Sequence, residues 1–189
     1  MLSILVQGPA QEPVDVNELK ADLKLDDDED LLLSSLITSA RMVVEANTGV
    51  RLVSQSWDLI MDNWPQGGDD RICLPHWPVQ DITGIYLLGN GREQVDQTVY
   101  ESELNPRIPQ VFPVKGRSWP AIKRDKLGVL VSLTAGFTSV ETIPEPLKQA
   151  IRLLAVNWYE ARDWQSSGNH QKIPSLVESM ITPYRNINL

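Results

Sequence analysis

The chain is short of cysteine, histidine and positive charge, and each shortage removes a class of function. Its single cysteine, Cys73, excludes an intramolecular disulfide framework and fits a protein made in a reducing cytoplasm. Two histidines, His76 and His170, leave little capacity for acid–base work at neutral pH. Seventeen Lys and Arg against 25 Asp and Glu give a formal net charge of −8. That balance argues against holding nucleic acid by coating its phosphates, although an acidic wall suits a duplex that must slide past without sticking. No stretch approaches the roughly 18 apolar residues that cross a bilayer, so no membrane partner is expected. The opening "MLSILVQGPAQEPVDV" has a short apolar run but neither a basic leader nor a convincing cleavage site, so it does not read as a signal peptide.

Catalytic and metal motifs are equally scarce. G-x-S-x-G, the Walker loop, H-E-x-x-H and the dinucleotide fingerprint are all missing from the sequence. The acidic run from Asp26 to Asp30 fails as a calcium loop. Counted from Asp26, the sixth and twelfth positions need Gly and Glu but hold Leu31 and Ile37. Cys73 and His76 have C-x-x-H spacing, yet zinc needs three or four ligands and His170 lies far along the chain. Cys73 is instead expected to be a small buried hydrophobe. With 25 carboxylates some pair will always be close, so carboxylate catalysis gains no support from their number. The expectation is a protein without enzymatic activity, metal or cofactor.

What is present is periodicity. In "PVDVNELKADLKL", Asp15 is a cap and Glu18 stands where a capping box places it, with Val16, Leu19 and Leu23 on one face. Leu32, Leu33, Leu36, Ile37, Ala40, Val43 and Val44 then repeat at helical spacing until Gly49. From Leu52 to Phe137 the period changes to that of strands. "SQSWDLIMDNWP", "RICLP", "VQDITGIYLL", "QTVYES", "IPQVFP" and "GVLVSLTAGF" are the candidates, with "GNGR" as a hairpin turn. Frequent prolines in this region make short strands and sheet edges. After Pro144 and Pro146, which suit a first helical turn, Leu147, Ala150, Ile151, Leu154, Ala155, Trp158 and Tyr159 form an apolar stripe. "QSSGNHQK" breaks it, and Leu176, Val177, Met180 and Ile181 restart a weaker one.

The fold expected is α+β: a helical bundle core of three main helices plus a short C-terminal helix, with a small antiparallel β-rich insertion between the second and third helices. The boundaries fall at residues 1–50 for the N-terminal helical part, 51–139 for the insertion, 140–163 for the core helix and 164–189 for a C-terminal arm. The tryptophans of the insertion, Trp57, Trp64, Trp77 and Trp119, are expected to fill a thin core, and a subunit contact is the other use for such side chains. The only basic cluster is "KGRSWPAIKRDK", where Lys115, Arg117, Lys123, Arg124 and Lys126 would meet DNA if the protein touches it.

The order of these parts resembles the head–tail connector (adaptor) proteins of tailed bacteriophages and related gene-transfer particles. The resemblance rests on the N-terminal "EPVDVNELKADLKLDDDEDLLLSSLITSARMVVEANTGVRLVSQSWDLIMDNWP", the middle "ICLPHWPVQDITGIYLL", "GRSWP", "VSLTAGFTSVETIPEPLKQAIRLLAVNWYEARD" and the final "IPSLVESMITPYR". It implies a structural virion protein, made in a bacterial host cytoplasm and placed at the head–tail junction. Such a protein forms a ring, usually twelvefold, below the portal protein. The ring extends the channel for packaged DNA and offers a docking surface to a head-completion (stopper) or tail protein.

The resemblance also implies a C-terminal arm that reaches the portal. Here that arm carries Trp164, Ile173, Leu176, Val177, Met180, Ile181, Tyr184 and Arg185. The alternative for the last helix is that it folds back on its own domain. The alternatives for function are a tail-side completion factor and a DNA-packaging accessory that binds duplex directly through the basic cluster.

Overall fold

A computed structural model describes residues 1–25, 29–65, 70–89, 91–105, 107–123, 126–161 and 173–185. The chain divides into two compact units: a β unit of Met1–Ala10 with Val53–Thr138, and an α unit of Gln11–Leu52 with Ser139–Leu189.

Two antiparallel sheets build the β unit. The larger has the order β1 (Leu2–Gln7), β2 (Gln55–Met61), β8 (Val129–Ala135), β4 (Val79–Leu88) and β5 (Arg92–Gln94). The smaller runs β3 (Ile72–Cys73), β7 (Gln110–Pro113), β6 (Tyr100–Glu103). Hydrophobic alternation sets the registers. β2 buries Gln55, Leu59 and Met61, whereas the central β8 is buried at Val129, Leu130, Val131, Leu133 and Ala135, on both of its faces. One cluster joins Leu59, Ile85, Val131 and Leu133 of the larger sheet to Ile72 and Val111 of the smaller. Each such side chain contributes about 1.5–3 kcal/mol by leaving water.

Two glycines answer to close approaches in this unit. Gly136 has φ +123°, and a Cβ there would stand 2.2 Å from the Val53 carbonyl oxygen. Gly84 lies at a register shift of β4, where the Tyr86 ring covers it and a Cβ would meet the phenol oxygen at 2.5 Å. A polar row crosses the larger sheet: the Arg92 guanidinium lies 3.7 Å from the Tyr86 ring centroid and donates to Ser132 Oγ (3.0 Å), which donates to Asp58 (2.6 Å).

The α unit holds α1 (Val16–Leu23), α2 (Asp30–Thr48), α3 (Glu145–Glu160) and the short α4 (Ser175–Ile181). Asp15 caps α1 by accepting the Asn17 N–H at 2.7 Å. The Glu18 carboxylate does not close a capping box; it pairs with Arg152 of α3. Gly49, at φ +75°, ends α2 with its N–H on the Glu45 carbonyl (2.9 Å). Leu33, Ile37, Ala40 and Val44 of α2 are buried, as are Leu147, Ala150, Ile151, Leu154 and Ala155 of α3, and the two helices pack on each other.

The α+β class, the three longer helices and the short last one agree with the expectation. The arrangement of the sheet does not. Leu2–Gln7, placed in a helical N-terminal part, is a strand that pairs with β2 in the register Leu2↔Ile60 to Leu5↔Trp57. The larger sheet is therefore not wholly an insertion between α2 and α3. Locally "LSILV" has no cap or helical period to hold it as a helix, and the distant β2 gives it a partner as a strand.

Candidate interaction surfaces

His76 is buried, with its ring 4.3 Å from that of Trp57, whereas Cys73 is exposed. The expectation of a buried cysteine is thus corrected: in β3, Ile72 takes the inward position and its neighbour must point out. Among the described residues no group of three His, Cys, Asp or Glu side chains is placed to hold a metal ion, and no helix is long and apolar enough to cross a membrane.

Two clefts open on the β unit. One, of about 680 Å³, lies at the β4–β5 hairpin between Leu87, Leu88, Arg92, Glu93 and Lys123. The other, of about 570 Å³, is bordered by Trp64, Asp70, Trp119 and Ile122. The Trp64 and Trp119 rings stack at 4.4 Å and 10°, and each indole N–H is satisfied by a backbone carbonyl, Pro120 at 2.7 Å and Asp70 at 2.8 Å. This pair fills the core, as expected of insertion tryptophans.

The predicted DNA-contact residues are exposed, but carboxylates offset part of their charge. Lys115, Arg117, Lys123 and Lys126 all face solvent; Arg124 lies outside the described residues. Lys123 pairs with Glu93 at 3.0 Å. Arg117 donates to Thr98 Oγ1 (3.0 Å) beside Asp96. The Asp96 carboxyl is held below the usual range first by hydrogen bonds from Thr98, and to a smaller degree by Arg117.

The predicted arm divides in two. Trp164 falls outside the described residues, as do Gln165–Asn169 and His170. Ile173, Met180, Tyr184 and Arg185 are half-buried, and Arg185 pairs with Glu178 at 3.3 Å. Val177 and Ile181 are fully buried, and α4 packs on α3 and α2. The last helix thus folds back on its own unit with one side, and leaves Leu176, 56% exposed, on the other.

Two features went unseen in the sequence. Arg41, inside the apolar stripe of α2, is buried and bridges acids at both ends of the first α-unit segment. It holds Glu12 through Nε (2.7 Å) and Nη2 (3.3 Å), and Glu45 through Nη1 (3.1 Å). Glu45 also faces Arg51 at 3.6 Å and accepts the Leu52 N–H at 2.9 Å. Burial pulls the Arg51 guanidinium below its ordinary value, and Glu45 acts against that shift.

The second is β1, whose six residues are all exposed. Of the nine large apolar side chains exposed among the described residues, five lie in its neighbourhood: Met1, Leu2, Ile4, Leu5 and Val6. The signal is present in the sequence, since an apolar run without charge needs a partner.

No family model matches the sequence, and no curated protein matches it. Solved structures do. The chain is similar over its full length to a chain in the neck of an empty gene transfer agent particle computed with C6 symmetry, with 25% identity, 97% of that chain covered and a TM-score of 0.83. It is likewise similar to chains in the neck of the native particle computed with C12 symmetry (26%, 97%, TM-score 0.81) and in the virion of the native particle (25%, 97%, TM-score 0.80).

Proposed function

We propose that this chain is a structural protein of a virion neck, in a tailed phage or gene transfer particle. The observation that carries the reading is the likeness to neck chains over all of this chain and 97% of theirs. The finer role is that of a head–tail adaptor. Copies form a ring, twelvefold in the assembled particle, below the portal; they extend the DNA channel and present a lower surface to a head-completion or tail protein. The net charge of −8 supports the channel role, because carboxylates facing the lumen repel a passing duplex.

Portal docking falls to the C-terminal arm. Since Val177 and Ile181 are used inside the α unit, the side of α4 that carries Leu176, with the half-buried Met180, is the part left for a partner's groove. The test is retention on the purified portal protein of the same particle, together with imaging of the neck. The unaltered chain should be retained, and Leu176→Asp with Met180→Asp should lose retention while keeping its far-ultraviolet circular dichroism, because a carboxylate cannot enter an apolar groove unpaired. Retention by the double variant would remove the arm from the reading; absence of the chain from the junction in mature particles would remove the reading itself.

A further inference from the structure

We infer that β1 is the surface by which one copy of this chain docks on the next, at the β5 end of the same sheet in its neighbour. The strand forms one edge of the larger sheet and, among the described residues, pairs only with β2, so alternate peptide N–H and C=O groups along Leu2–Leu5 face outward. The strand itself carries no guard. Proline and charge are missing from the strand, and its one irregularity, between Leu5 and Gln7, comes at the far end. An edge that is both apolar and unpaired normally ends in association.

The occupant is a second copy for two reasons. Chains that each carry −8 repel one another, so like chains meet best where charge is lowest; residues 1–11 hold no charged side chain at all. The particles that contain the similar chains were computed with C6 and C12 symmetry, in which the nearest neighbour around the axis is another copy. A cyclic contact is head to tail and needs two unlike faces on one chain. The sheet supplies them as its two edges: apolar β1 at one, and at the other β5 beside the cleft that Leu87 and Leu88 line. This inference rests on the neck reading for its second reason and on the chain alone for its first.

Sedimentation velocity of the full chain, from micromolar to millimolar, tests it. Ile4→Lys should weaken self-association about ten-fold or more, with circular dichroism and thermal midpoint unchanged because the residue is 43% exposed at an edge. The added lysine lowers the net negative charge, so weaker association cannot come from general repulsion. Met42→Lys, which changes a 59% exposed apolar residue on α2, should leave association as it was.

To locate the receiving edge, Leu5→Cys and Glu93→Cys in a Cys73→Ser background should give a disulfide-linked dimer on oxidation, and either cysteine alone should not form that mixed link. Self-association untouched by Ile4→Lys overturns the inference, as does an unaltered chain that stays monomeric at millimolar concentration. Failure of the double-cysteine link overturns β5 as the receiving edge. Portal retention separates the two readings: loss of self-association by Ile4→Lys with retention kept leaves both standing, whereas β1-dependent association without any retention by portal sinks only the neck reading.

Discussion

Replacing Arg41 by Met should destabilise the α unit by about 3 kcal/mol. The guanidinium is buried, with 7% of its side chain exposed, and is shared between Glu12, 23% exposed, and Glu45, 4% exposed. Removing one partner of a buried ion pair costs roughly 3–5 kcal/mol, because the remaining charge is left without compensation. Here the lower end applies. Glu45 keeps Arg51 at 3.6 Å and the Leu52 N–H at 2.9 Å, and Glu12 keeps the Thr38 hydroxyl at 2.9 Å.

For a chain of this size each kcal/mol moves the midpoint by roughly 2–4 °C, so the fall should be about 6–12 °C. Urea unfolding followed by circular dichroism gives the free energy, and amide hydrogen exchange of α2 localises it. Arg41→Lys should lie between the two, since an ammonium cannot serve both carboxylates with the same fork. Glu12→Gln should cost only about 1–2 kcal/mol. A loss below about 1 kcal/mol for Arg41→Met would show that water and not Arg41 satisfies these acids.

Four further outcomes follow from the geometry. Gly136→Ala should cost at least about 2–3 kcal/mol in chemical denaturation, since it adds a Cβ at φ +123° against the Val53 carbonyl; a neutral result would contradict that backbone. Trp119→Ala should cost about 3–5 kcal/mol and expose Trp64, read as a red shift in fluorescence. Val177→Asp should lower the thermal midpoint strongly, while Leu176→Asp should leave it within about 0.5 kcal/mol, which separates the two sides of α4. Changing Lys115 and Lys126 to Ala should not alter retention of linear duplex DNA at moderate salt; a steep salt-dependent loss would revive the DNA-packaging reading.

The helices were legible because their signals are local. Asp15 and Gly49 mark ends that depend on neighbouring backbone alone, and the 3.6-residue period of α2 and α3 needs no distant partner. β4 was equally clear, as a ten-residue stretch rich in Val, Ile, Leu and Tyr, closed by a glycine-rich turn. What failed depended on partners far along the chain. β1 becomes a strand only because β2 lies beside it, more than fifty positions on, and Trp64 finds Trp119 by the same kind of chance. Glu18 offered a capping box in sequence, yet Arg152 competes for its carboxylate from another helix. Arg41 was hidden for a related reason: a cation in an apolar stripe reads as a solvated break until Glu12 and Glu45 are seen on either side. The surfaces were least legible of all, since exposure of Leu176 beside a buried Val177 is decided by which way a short helix turns.

The alternation of the two units along the chain has a consequence for biosynthesis. β1 is translated before Gln55–Met61 and must wait for it before it has a ladder, while α2 waits for Glu145 and beyond before its stripe is covered. The β unit cannot close until Gln11–Leu52 of the other unit has been made, and the α unit cannot close until the whole β unit has been, so folding is dominated by long-range contacts and should be slow for a chain of this length. During that interval the nascent chain presents a bare, sticky strand, and crowded polysomes that make many copies at once would bring such strands together before any of them has matured.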